Sequence, residues 1–103
     1  MPQSDYRPRR RLSVDVWAST PVDPGRLLTG TTVELGTEDA VLRLPKLPEL
    51  AVDLTLRIAI PGRATLAYAT IVRRTPPDLV TVAFDSIDGY EQSRIRAFID
   101  ASE

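Results

Sequence analysis

The sequence predicts an all-β fold: a six-stranded antiparallel β-barrel with a C-terminal α-helix. Three observations predict it. Apolar residues recur at every second position in several segments, the period of a strand with one buried face. Turn-forming Gly and Pro residues separate many of these segments, and only the last segment has helical spacing. A chain so rich in strands must also protect its strand edges, which closure into a barrel achieves.

The strands follow from this alternation. In the first, Leu12, Val14 and Val16 point to one side, whereas Trp17 points to the other. The second and third strands are separated by a short turn over residues 36–39 and are expected to pair as a hairpin. The predicted strands cover residues 12–18, 27–35, 40–44, 52–60 and 63–73, and a sixth contains Val80, Val82 and Phe84.

The last segment is predicted to be a helix over residues 89–101. Ile95, Phe98 and Ile99 share one helical face, which could cover an open end of the barrel. Asp88 followed by Glu91 resembles a capping box at the start of this helix.

The composition excludes several function classes. The chain has no cysteine and no histidine, which removes disulfides, thiolate nucleophiles, Ser-His relays and nearly every zinc site. No acid–base pair or nucleophile site can be assembled from the remaining residues, so an enzyme is not expected. The formal net charge of −1 does not favour binding to DNA or RNA.

The domain organisation is predicted to be simple. Residues 1–11 read as a flexible basic arm, and residues 12–103 as a single barrel domain. The arm has no apolar stretch behind it and no apolar run is long enough to span a bilayer, so a cytoplasmic protein without membrane insertion is expected. The arm carries Arg7, Arg9, Arg10 and Arg11, and arginine suits forked contacts with phosphate and stacking on bases.

The order of these parts resembles the PilZ domain family. That family has an arginine-rich arm with an RxxxR motif, a six-stranded barrel and a C-terminal helix. Here Arg7-Pro8-Arg9-Arg10-Arg11 matches RxxxR and is followed by the apolar strand start Leu12-Ser13-Val14. The segments Thr70–Arg74 and Val80–Phe84 resemble the fifth and sixth strands of the family. The resemblance covers residues 7–101.

The second family motif, [D/N]xSxxG at the end of strand two, is altered. In the matching register the sequence reads Glu34-Leu35-Gly36-Thr37-Glu38-Asp39. Glu34 stands where the family has Asp or Asn, Gly36 where it has Ser, and Asp39 where it has Gly. Asp39 therefore adds a negative charge, and Gly36 lacks a hydroxyl.

The resemblance implies a regulatory domain that binds cyclic di-GMP, a bacterial second messenger with two phosphates and two guanines. Arg7 and Arg11 would contact phosphate or guanine, Arg9 and Arg10 would add positive potential, and Glu34 would accept from the guanine N1 and N2 donors. No cofactor or metal is implied. The expected ligand-binding residues are Arg7, Arg10, Arg11, Glu34, Gly36 and Asp39.

Two alternatives stay open. A PilZ-like adaptor could have lost the nucleotide and act only through contacts with an effector protein or as a homodimer. A nucleic-acid-binding barrel of OB type is compatible with the arginines, but few exposed aromatic residues are expected for base stacking.

Overall fold

The predicted strands and helix are all present in the computed structural model, which describes residues 9–102. Their bounds are β1 Asp15–Thr20, β2 Asp23–Leu35, β3 Asp39–Arg43, β4 Asp53–Ile58, β5 Thr65–Thr75, β6 Leu79–Ser86 and α1 Gly89–Ala101. The helix matches its predicted range, and strand ends differ by a few residues. Proline and glycine mark the turn between β4 and β5, where Gly62 has a φ of 101°, a backbone conformation that favours glycine.

The strands close into one antiparallel barrel in the order β1-β2-β3-β6-β5-β4. Closure comes from the pairing of β1 with β4, in which Val16 lies opposite Ile58 and Ser19 opposite Thr55. The predicted hairpin of β2 and β3 is confirmed, with Leu35 opposite Ala40. The barrel therefore has no free strand edge among the described strands.

The core is formed by the alternate residues that the sequence pattern places inside. It includes fully buried Leu42, Leu56, Ile58 and Val82 from three different strands. Ile95 of α1 joins the same cluster, so the helix covers one end of the barrel with its apolar face, as predicted.

The first strand begins later than predicted. Residues 12–14 lie alongside β2 but are held partly by a side chain, because Val14 N–H donates to Thr32 Oγ1 at 2.9 Å and Thr32 Oγ1 donates to the Leu12 carbonyl. The Thr32 N–H in turn donates to the Val14 carbonyl at 2.8 Å. Leu12 and Val14 still pack against the core, as their alternation predicts.

A β-bulge at Val33 determines which residues of β2 face the solvent. Thr32 pairs with Leu42 but Glu34 pairs with Val41, so Val33 is an extra residue in β2. Strict alternation from buried Thr32 would place Glu34 inside the barrel. Because the bulge shifts the alternation by one, Leu35 is fully buried and Glu34 lies at the surface.

Candidate ligand site at the corner between β2 and β3

The described part of the basic arm lies directly beside the end of β2. The Arg10 N–H donates to the Leu35 carbonyl at 2.9 Å, and the Leu35 N–H donates to the Arg10 carbonyl at 2.8 Å. This reciprocal pair is a two-residue antiparallel bridge. The arginine-rich segment is therefore at the corner between β2 and β3, the place where the second motif of the sequence lies.

Arg9 connects the two altered acidic positions of that corner. Its Nε donates to Glu34 Oε1 at 3.0 Å and its Nη1 donates to Asp39 Oδ2 at 3.1 Å. About a third of the Arg9 and Glu34 side chains is exposed, and 40% of the Asp39 side chain. One guanidinium thus joins the end of β2 to the start of β3. We call Arg9, Glu34 and Asp39 the Arg9 cluster.

The turn between the two strands has little free space. Gly36 is buried, and its N–H donates to the Asp39 carbonyl at 2.9 Å. A Cβ atom at Gly36 would lie 3.1 Å from Asp39 Oδ1 and 3.2 Å from Arg9 Cγ. A side chain at position 36 would therefore press on the Arg9 cluster.

Most of the predicted site residues that the structure describes lie at or beside the corner. Glu34, Gly36 and Asp39 lie together at the corner. Arg10 is joined to the corner through its backbone. Arg11 follows with an exposed side chain, and Arg7 lies outside the described residues. Whether these residues bind a nucleotide stays a prediction.

Arg9 is the site residue whose role sequence reasoning missed, since it was expected only to add positive potential. The signal was present in the charges. Glu34 and Asp39 both replace residues that are neutral or shorter in the family motif, and both face an arm with four arginines. A longer carboxylate at position 34 and an added one at position 39 indicate a nearby cation, but only the structure identifies Arg9 as that cation.

The corner also contacts the C-terminal helix. Gln92 Nε2 donates to the carbonyl of buried Thr37 at 3.0 Å, which joins α1 to the turn between β2 and β3. A shallow cleft between arm and helix is lined by Arg10, Arg11, Leu12, Ile99 and Ser102. A change in the arm or the turn therefore reaches α1 through direct contacts.

The helix is fixed to the barrel by a buried carboxylate. Glu91 forms ion pairs with Arg63 at 2.7 Å and Arg94 at 2.9 Å, and it accepts from Thr65 Oγ1 at 3.1 Å. Burial raises the pKa of Glu91, but hydrogen bonds from Arg94, Arg63 and Thr65 outweigh burial and hold that pKa below the ordinary value.

The predicted capping box is only half present. Asp88 caps the helix, accepting from the Tyr90 N–H at 3.3 Å. Glu91 turns instead toward the start of β5, where Thr65 and the two arginines surround it. A capping box requires this carboxylate to return to the N-cap N–H, so the prediction for Glu91 was wrong.

Two kinds of feature are absent from residues 9–102. Within this range, no three acidic residues are grouped in a way that could hold a metal ion. No helix of the same range is long and apolar enough to cross a membrane.

The chain folds as a closed six-stranded antiparallel barrel with one C-terminal helix over its end. This architecture places it in a known structural class. The sequence matches no protein-family model and no curated protein sequence. Its structure, however, is similar to solved structures of a known class, and the chain has the PilZ fold.

Two solved structures carry that conclusion. The PilZ domain of CeSA from a cellulose-synthesizing bacterium is 15% identical with a TM-score of 0.72, over 93% of this chain and 99% of that one. The Bacillus subtilis inhibitor of motility, MotI/DgrA, is 15% identical with a TM-score of 0.76 over 98% of this chain. This chain spans 52% of the length of MotI/DgrA.

Proposed function

We propose that this chain is a non-catalytic regulatory domain of the bacterial cytoplasm that binds cyclic di-GMP at the corner between β2 and β3. One observation carries the proposal: the bridge between Arg10 and Leu35 brings the arginine-rich arm to the corner that contains the second motif. An arm on the far side of the barrel would have separated the two halves of the site.

The chemistry of the corner suits a ligand with phosphates and guanines. Arg11 is exposed and can donate in a fork to a phosphate or to guanine O6 and N7, and Arg7 is proposed to do the same. The Glu34 carboxylate lies at the surface and can accept from the guanine N1 and N2 donors once Arg9 releases it.

The altered corner is expected to bind the nucleotide more weakly than an unaltered site would. The hydroxyl missing at Gly36 costs about 1 kcal/mol. Displacing Arg9 from Glu34 and Asp39 costs roughly 0.2–1 kcal/mol for each partly exposed ion pair. The sum of about 1.5–3 kcal/mol corresponds to an affinity lower by roughly ten- to 150-fold. Repulsion between the Asp39 carboxylate and a phosphate at short range adds on the order of 1–4 kcal/mol to this sum, less when salt screens it.

Ligand binding at the corner is proposed to alter the surface of α1, where a partner could bind. The turn that would contact the ligand is joined to the helix by the Gln92–Thr37 hydrogen bond. Ordering of the arm over the ligand would also change the cleft between Arg11 and Ile99. We propose that an effector protein reads the surface formed by the arm and α1.

A second candidate is an adaptor that acts through protein contacts without the nucleotide. The Arg9 cluster favours it, because Arg9 already satisfies both carboxylates of the corner within the chain itself. In such an adaptor the arm would be held permanently as part of the binding surface.

Calorimetric titration of the full chain with cyclic di-GMP separates the two candidates. The receptor proposal expects binding in the micromolar range and at least tenfold weaker binding for the double variant Arg7→Ala, Arg11→Ala. The matched control is Arg26→Ala, Arg96→Ala, which removes two exposed arginines outside the arm and is expected to change the affinity less than twofold.

Three results would contradict the receptor proposal. Absence of heat at high micromolar ligand would favour the adaptor. Equal losses in the two double variants would indicate general electrostatic attraction and not a site formed by the arm. Loss confined to the control would place the nucleotide elsewhere on the barrel.

A further inference from the structure

The three departures from the family's second motif share one structural consequence. The longer side chain of Glu34 reaches Arg9 Nε at 3.0 Å, and the carboxylate of Asp39 reaches Arg9 Nη1 at 3.1 Å. Gly36 leaves the space through which the Arg9 side chain passes, because a Cβ there would lie 3.2 Å from Arg9 Cγ. All three altered positions therefore border the same guanidinium group.

The backbone supports the same arrangement. The bulge at Val33 turns Glu34 toward the surface, where Arg9 lies. The bridge between Arg10 and Leu35 fixes the residue after Arg9 against the residue after Glu34. Side-chain and backbone contacts thus hold the arm at the same point.

We propose that Arg9 occupies the corner between β2 and β3 as an internal substitute for a ligand. The altered motif is then a binding site for an arginine of the same chain, and the arm is docked before any ligand binds. The charges agree with this assignment, because one guanidinium lies between two carboxylates that would otherwise repel each other.

The consequence for ligand binding rests on the proposed function. A cyclic dinucleotide would enter by displacing Arg9 from Glu34 and Asp39, so docking of Arg9 competes with the ligand. The apparent affinity falls by the ratio of docked to released arm. For two partly exposed ion pairs, worth about 0.4–2 kcal/mol together, that ratio is about two to thirty.

Hydrogen exchange of the Arg10 amide, followed by NMR in the ligand-free full chain, tests the docking directly. This N–H is bonded to the Leu35 carbonyl only while the arm is docked. Arg9→Ala is expected to raise its exchange rate about two- to thirtyfold. Arg11→Ala is the matched control: it removes the same charge from the same arm but no ion pair of the described chain, and less than a twofold change is expected.

A double-mutant cycle with Asp39→Asn tests whether Arg9 acts through this carboxylate. The double variant is expected to raise the exchange rate by less than the product of the two single effects. If the effects of Arg9→Ala and Asp39→Asn on the exchange rate simply multiplied, Arg9 would not act through Asp39 and the proposal would be overturned. Equal effects of Arg9→Ala and Arg11→Ala would also overturn it, as would an Arg10 amide that exchanges at the unprotected rate in the unaltered chain.

The docking of Arg9 and the binding of cyclic di-GMP can be contradicted separately. Protection that depends on Arg9, together with no heat on addition of cyclic di-GMP, would keep the internal substitute and remove the receptor. Binding of cyclic di-GMP together with an Arg10 amide insensitive to Arg9 would keep the receptor and remove the internal substitute.

Discussion

At the scale of single residues, the position of Glu34 depends on a neighbour with no functional group. Val33 forms the bulge that sends Leu35 into the core and leaves Glu34 at the surface. Without the bulge, a carboxylate would enter an apolar barrel, where an unpaired charge is strongly unfavourable. The site thus depends on backbone irregularity as much as on side-chain chemistry.

Restoring the family motif is expected to strengthen nucleotide binding. The triple variant Glu34→Asp, Gly36→Ser, Asp39→Gly adds the missing hydroxyl and removes one partner of Arg9. We expect an increase in affinity for cyclic di-GMP of about tenfold or more, measured by calorimetry beside the unaltered chain. If the triple variant binds no more tightly, the corner is not where the nucleotide binds.

Gly30 is a second residue whose identity is fixed by packing. A Cβ at this position would lie 2.0 Å from the carbonyl oxygen of Arg43 and 2.8 Å from Leu44 Cδ2. Gly30→Ala is therefore expected to lower the free energy of unfolding by about 1–3 kcal/mol, measured by urea denaturation.

Gly25 in the same strand provides the control for that measurement. Nothing lies within 4 Å of a Cβ built at Gly25, so Gly25→Ala is expected to change the free energy of unfolding by less than about 0.5 kcal/mol. Similar losses for the two alanine variants would indicate a general cost of alanine in β2 and contradict the close approach at Gly30.

At the scale of elements, the strands and helix follow from the sequence to a large extent. Alternation located all six strands, and the spacing of Ile95 and Ile99 located the helix and its buried face. These features are local and repeat along the chain. Turn residues such as Pro61 and Gly62 marked a junction between strands because their backbone preferences are strong.

Other features depended on contacts between distant segments. The bulge at Val33 is invisible to alternation, because the partner strand decides where an extra residue is placed. Glu91 has a capping-box spacing, but Thr65 and Arg63 lie 26 and 28 positions away in the sequence and attract it more strongly. The role of Arg9 likewise required the arm to be placed beside Asp39.

The ion pairs of Glu91 predict how the attachment of α1 depends on pH. The pKa of Glu91 is lower in the folded chain than its ordinary value, so the unfolded chain binds a proton first as the pH falls. The stability from Glu91 is present above the ordinary glutamate pKa and is lost as the pH falls from there through the lowered folded-state value.

Glu91→Gln tests this at the level of the helix. The variant is expected to have a lower Tm at neutral pH, since Arg63 and Arg94 lose their charged partner. Its Tm is also expected to fall less than that of the unaltered chain between about pH 5.5 and about pH 3. Parallel Tm curves for the two proteins over this range would contradict the role given to Glu91.

At the scale of the whole molecule, strand direction gathers the proposed binding residues at one end of the barrel. β2 ends and β3 begins at the corner beside the arm, and β6 ends there before α1. The hydrogen bond between Gln92 and Thr37 connects the two regions. The opposite end carries the turns near Val22 and Leu50, two residues that are 91% and 92% exposed.

This division makes a residue-resolved titration the most direct test of the central claim that cyclic di-GMP binds where the arm meets the corner. In an NMR titration of the full chain, we predict the largest amide shift changes at residues 9–12 and 34–39, with smaller changes at Gln92. Unchanged spectra at millimolar ligand, or changes centred on the opposite end near Val22 and Leu50, would contradict the account.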